Sequence, residues 1–84
     1  MARRFFRNGR LAVIPARQSK RRLVLDYLAQ EFEPGRLYPE TVVNEILRHY
    51  HPDCAALRRY LIDEGFMARR DGWYWRTGGT FDVS

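Results

Sequence analysis

Six consecutive residues, "HYHPDC" at positions 49 to 54, gather both histidines, an aspartate and the chain's one cysteine. Those side chains can ligate zinc, and a thiol near an imidazole is also how a cysteine nucleophile meets its base. The spacing argues against both uses. A structural zinc takes four ligands, usually as two Cys or two His a few residues apart, and the sequence holds no further Cys or His to complete such a set. No third group is evident to orient the histidine, and no Gly-rich loop is present to cradle a phosphate. Neither a metal, a cofactor nor an enzymatic activity is expected. The stretch reads instead as a turn, in which Pro52 breaks one helix, the Asp53 carboxylate caps the next, and Cys54 packs as a small apolar side chain. His51 is left at the turn, able to touch a phosphate but under no necessity to do so.

Arginine is the other chemically suggestive residue. The 84 residues carry 15 basic side chains, all but Lys20 of them arginine, against 10 acidic ones, for a net charge of +5. Residues 1 to 22 hold Arg3, Arg4, Arg7, Arg10, Arg17, Lys20, Arg21 and Arg22 and no acid at all. A concentrated positive field of this kind suits a polyanion, and a segment that neutralises phosphates gains affinity by releasing their counterions. One cysteine forms no internal disulfide and suits a reducing compartment. No run of about eighteen apolar residues suggests a membrane span, so a cytoplasmic protein with no membrane partner is expected.

These residues must be positioned by the elements around them. Asn8-Gly9 between Arg4–Arg7 and Arg10–Ile14 signals a tight hairpin. Ser19 is a candidate cap for a first helix from about Lys20 to Phe32, whose Leu25, Leu28, Ala29 and Phe32 share one face. Pro34-Gly35 ends it. Pro39 suits the first turn of a second helix, striped by Val43, Ile46, Leu47 and Tyr50. A third helix runs from Asp53 to Glu64 with Cys54, Leu57 and Leu61 inward, and Gly65 stops it. "FMARRDGWYWR" then forms a hairpin about Asp71-Gly72. The expected fold is α+β, mostly α: a winged helix-turn-helix of three helices plus a C-terminal β-hairpin wing, with an added N-terminal β-hairpin or arm. The arm takes residues 1–18, the winged domain 19–76, and a flexible tail 77–84.

In such a frame the second helix of the motif lies in the major groove of double-stranded DNA. Opposite Leu57 and Leu61, helix three presents Arg59, with Ala55, Ile62 and Asp63 beside it and Arg58 on the flank. Arg59 is thus the candidate base contact and Arg58 a phosphate contact. Arg3, Arg4 and Arg7 extend the phosphate surface from the arm, Lys20 and Arg21 from the start of the first helix, and Arg69 and Arg70, with Arg76, from the wing. Each has a plainer reading too: Arg59 stands four residues before Asp63, and Arg58 could pair with Asp26 or Glu45. Trp73 and Trp75 face away from Tyr74, and one of the two faces must be core. Two alternatives stay open beside the reading as a DNA-binding transcriptional regulator or regulator accessory. One is a protein-interaction module docking through Ala55, Ile62 and the aromatic hairpin, and the other is binding to structured RNA or the ribosome.

The stretch "GRLAVIPARQSKRRLVLDYLAQEFEPGRLY", followed by "NEIL", "LRRYLIDEGF" and "YWR", resembles a bacterial domain-of-unknown-function family, number twenty eighty-seven. That family occurs alone or behind ArsR-like winged-helix regulators. The resemblance spans about residues 9 to 76 and takes in Glu40, Asn44, Asp53, Arg58, Arg59, Tyr74, Trp75 and Arg76, with Pro39 and Cys54 as departures. It implies a helix-turn-helix-like fold and an association with transcriptional regulators. The family carries no established activity.

Overall fold

The computed structural model describes residues 2–80, with side chains from Arg4 onward. It is an α+β fold of three helices and two small antiparallel sheets. A 3-10 turn, Ala2–Phe5, leads into a hairpin of β1 (Phe6–Arg7) and β2 (Arg10–Leu11). Helix α1 (Gln18–Ala29), strand β3 (Tyr38–Pro39), helices α2 (Glu40–Arg48) and α3 (Cys54–Asp63), and strands β4 (Met67–Arg70) and β5 (Trp73–Arg76) follow. The second sheet has the order β3-β5-β4, with Tyr38 opposite Tyr74 and Ala68 opposite Trp75.

Helix α1 starts earlier than the sequence suggests. Arg17, extended at φ −73° and ψ 127°, is the cap position, and its side chain makes no capping bond. Ser19 falls inside the first turn, too late to cap. At the other end the α-helix stops at Ala29, and successive amides of residues 30 to 32 bond three residues back, which tightens the chain and swings Phe32 into the core. Of the expected stripes, Leu25, Leu28, Ala29, Phe32, Val43, Leu47 and Leu57 are fully buried; Val24, outside them, is buried too, while Ile46, Tyr50 and Cys54 are only partly buried.

Pro39 is the last residue of β3 and the extended cap of α2, not its first helical residue. Its missing amide costs nothing at that sheet edge. Glu40 in the first turn and Arg48 in the last match the helix dipole, and Arg10 adds a second cation at the C-terminus by donating to the His49 carbonyl at 3.1 Å.

The α2–α3 turn is held by side chains. His51 Nδ1 accepts from the Asp53 amide at 3.0 Å, and Asp53 Oδ1 accepts from the Ala56 amide at 3.1 Å. Among the described residues no group of three His, Cys, Asp or Glu side chains could hold a metal ion. Cys54 is half-buried against the core. Helix α3 closes with the paired bonds of a Schellman motif, Gly65 amide to Ile62 carbonyl and Phe66 amide to Leu61 carbonyl. Because Asp53 satisfies one of the helix's orphan amides, Asp53→Ala should destabilise the domain by about 1 kcal/mol. Thermal denaturation would read this as a fall of about 5 °C in Tm.

Both hairpins turn through left-handed pairs, Asn8-Gly9 at φ 53° and 76° and Asp71-Gly72 at 55° and 83°, as two-residue turns of matching twist require. The N-terminal hairpin is shorter than expected and docked. Leu11 is buried, its amide bonds the Tyr50 carbonyl at 2.7 Å, and the Phe6 ring lies 4.6 Å from Tyr27 and 5.8 Å from Tyr50. Residues 77–80, expected to begin a loose tail, are bonded to the body. The amides of Thr77 and Gly78 both reach the Phe66 carbonyl, while the amide and hydroxyl of Thr80 donate to Asp26. Residues 81–84 of the expected tail lie outside the described part.

Candidate nucleic-acid interface

Asp53 sets where α3 starts and the core stripe sets its rotation, and together they decide which side chains leave the protein. With Leu57 and Leu61 buried, Arg59 emerges with its side chain 83% exposed. It keeps a loose pair with Asp63 at 3.7 Å, the surface contact that the four-residue spacing allows. Between α3 and β4 runs an open groove of about 430 Å³ lined by Ala55, Arg58, Arg59, Ile62, Asp63 and Arg69. Arg59 also borders a second open hollow with Ala56 and Tyr60.

Three of the cations expected to bind phosphate or bases, Arg58, Arg59 and Arg69, therefore share one groove. They are not equivalent. Arg58 is only 21% exposed at its side chain; it donates to Asn44 Oδ1, and its Nε lies 3.8 Å from Glu40. Neither Asp26 nor Glu45 is its partner. The Tyr74 hydroxyl donates to the same Glu40 carboxylate at 2.7 Å. That bond first, and the Arg58 charge second, hold the Glu40 carboxyl below the usual carboxylate range, with a smaller contribution from Arg69. Arg58 is thus a fixed wall of the groove, while Arg59 is its exposed cation.

Glu40, Asn44 and Tyr74 are functional candidates that reasoning from the sequence missed. A signal was present: Glu40 and Asn44 are four apart on α2 and so share a face. What the spacing could not supply is the docking of that face on Arg58.

The β4-β5 hairpin divides its arginines by strand alternation. Arg69, opposite Tyr74, faces the helices and the groove, whereas Arg70, opposite Trp73, faces the other way and pairs with Asp71 at 3.9 Å. Arg76 is not on the surface of the hairpin at all. It is 8% exposed and donates to the carbonyls of Phe32, Gly78 and Thr80. Tyr74 belongs to the core face of the hairpin and Trp73 to the exposed one.

Toward the N-terminus the candidates separate again. Arg21 is committed to the fold: its Nε lies 2.7 Å from Glu64, it donates to the Ala16 carbonyl at 2.8 Å, and its guanidinium sits 4.4 Å from the Tyr60 ring centre. These contacts fix α1 against α3 and leave little of Arg21 for a ligand. Arg4, stacked 5.0 Å over Phe5, is exposed, as are Arg7 and Lys20. The Arg3 side chain lies outside the described part. Ala55 is exposed as expected, but Ile62 is half-buried against the core, which leaves the apolar patch on α3 smaller than its spacing suggests. Among the described residues no helix is long and apolar enough to cross a membrane.

Comparison with the curated proteins and with the solved structures finds no match. A family model does match: that of an uncharacterized protein conserved in bacteria, DUF2087, over residues 10–76. The matched stretch runs from the second strand of the N-terminal hairpin through all three helices to the end of β5, and the chain belongs to that family.

Proposed function

We propose that the protein is a nucleic-acid-binding module of winged helix-turn-helix type, acting on double-stranded DNA in the bacterial cytoplasm as a transcriptional regulator or an accessory of one. The order helix, short strand, helix, helix, hairpin, with β3 paired to the outer side of the hairpin, supports that architecture. The observation that carries the function is the groove between α3 and β4, where the exposed Arg59 stands beside Arg69 over an arginine, Arg58, already locked in place. Arg59 supplies the fork that guanine edges accept, and Arg69, Arg70, Arg4, Arg7 and Lys20 supply phosphate contacts.

Fluorescence anisotropy with labelled duplexes of varied sequence tests this reading. Arg59→Ala should remove about 1–3 kcal/mol of discrimination between preferred and scrambled duplexes. Arg4→Ala should weaken every duplex alike. Equal loss on all sequences in both variants would reduce Arg59 to a phosphate contact. Preference for structured RNA over duplex DNA in the same titration would move the assignment to RNA, and binding of neither polymer would leave the interaction-module reading.

A further inference from the structure

Glu40, the first residue of α2, is reached by Tyr74 from β5, by Arg58 from α3 and, at longer range, by Arg69 from β4. One oxygen, Oε1, is contested. It accepts from the Tyr74 hydroxyl at 2.7 Å and lies 3.8 Å from Arg58 Nε. The first distance is a hydrogen bond and the second is not. Arg58 is held instead through Nη1, which donates to Asn44 Oδ1 about one turn along α2.

An arginine and a carboxylate left to themselves close to about 2.7–2.9 Å. The chain holds such a pair: Arg21 Nε, on a side chain 15% exposed, reaches Glu64 at 2.7 Å. Arg58 is almost as sheltered, at 21%, so solvent does not account for the wider gap to Glu40. Tyr74 does. It is buried on the inward face of β5, between its cross-strand neighbours Tyr38 and Arg69, and its ring cannot follow the carboxylate outward. Its hydroxyl acts on Glu40 more strongly than the Arg58 charge does. The pair therefore balances charge without closing, and the Arg58 Nε–H is left for an acceptor that enters the groove.

We infer that Tyr74 is a positioning residue for phosphate binding: by holding the Glu40 carboxylate off Arg58, its hydroxyl keeps one edge of that guanidinium open to a phosphate oxygen of duplex DNA. This rests on the reading of the groove as a DNA site and says how that site is kept ready. A phosphate is the acceptor that fits, because Arg58 is recessed in the groove wall while Arg59 projects. A recessed donor meets the backbone that flanks a helix seated in the major groove, not the base edges beneath it. Because Glu40 still balances Arg58, the contact adds a hydrogen bond and no net charge, and the salt dependence is set by the other cations.

Tyr74→Phe, which removes the hydroxyl alone, tests the inference. Glu40 should then close on Arg58, and labelled duplexes of every sequence should bind about tenfold more weakly, for one charge-assisted hydrogen bond, at an unchanged salt slope. In the Glu40→Gln background no carboxylate is present to close, and the same substitution should cost nothing. A tyrosine that only supported the fold would cost the same in both backgrounds. Fluorescence anisotropy of the four proteins reads this cycle, with far-ultraviolet circular dichroism checking the fold. Exchange of the Arg58 Nε–H with water, followed by NMR without nucleic acid, should be slower in Tyr74→Phe than in the wild type. Equal affinity of wild type and Tyr74→Phe, equal cost in both backgrounds, or unchanged exchange would overturn the proposal. A wild type that binds no duplex would overturn the DNA reading and the phosphate role of Tyr74 with it, and slowed exchange in Tyr74→Phe would tell that failure from the others.

Discussion

Raising the salt from 50 to 200 mM is expected to weaken duplex binding several hundredfold. The number follows from counting the cations proposed as phosphate contacts: Arg4, Arg7, Lys20, Arg69 and Arg70. Each phosphate neutralised contributes about −0.9 to the slope of log K against log salt, so five give a slope of about −4.5 and a fourfold rise in salt costs roughly 500-fold. Arg21, Arg22 and Arg76 do not enter, because Glu64 and the Phe32, Gly78 and Thr80 carbonyls hold them. Counting every basic residue between 1 and 22 from the sequence would give a far steeper line. The double variant Arg4→Ala with Arg7→Ala should flatten the slope by about two, which separates the share of the N-terminal hairpin from that of the β4-β5 hairpin. A slope near zero would exclude the phosphate mechanism, whatever the affinity at low salt.

That count shows where the sequence was legible and where it was not. The helical stripes, the two Asn-Gly and Asp-Gly turns and the Asp53 cap are local signals, each decided within a few residues, and the structure has them where the pattern puts them. Which arginines are available is a tertiary question. Arg21 and Arg59 look alike in the sequence, each four or five residues from an acid on its own helix or the next. One meets Glu64 because α1 crosses α3, and the other meets only Asp63 at the surface. The bonds of residues 77–80 were not legible for a related reason. "TGGT" has the composition of a loose tail, but two glycines are also what a close backbone approach needs, and composition cannot separate the two.

Gly78→Ala should cost the domain about 2–3 kcal/mol and lower Tm by on the order of 15 °C. A β-carbon at Gly78 would stand 2.4 Å from the Gly65 carbonyl oxygen and 3.3 Å from the Phe66 α-carbon, all backbone atoms that cannot swing aside. Relief requires the chain to back away, and that breaks the bonds from Thr77 and Gly78 to the Phe66 carbonyl and from the Thr77 hydroxyl to the Gly65 carbonyl. Those bonds anchor the strap whose far end, Thr80, is tied to Asp26 and Gln30 on the α1 side and to Arg76 from β5. Freeing the strap strips partners from Arg76, a buried cation. Gly35→Ala is the control, because nothing lies within 4 Å of its added carbon and it carries only the left-handed backbone penalty of about 1–2 kcal/mol. Far-ultraviolet thermal melts of the two variants against the wild type would measure the difference. If Gly78→Ala melts no lower than Gly35→Ala, residues 77–80 are a loose tail after all. If it melts well below, the domain ends at the strap, and the β4-β5 hairpin with its Arg69 is held toward α3 from both of its ends.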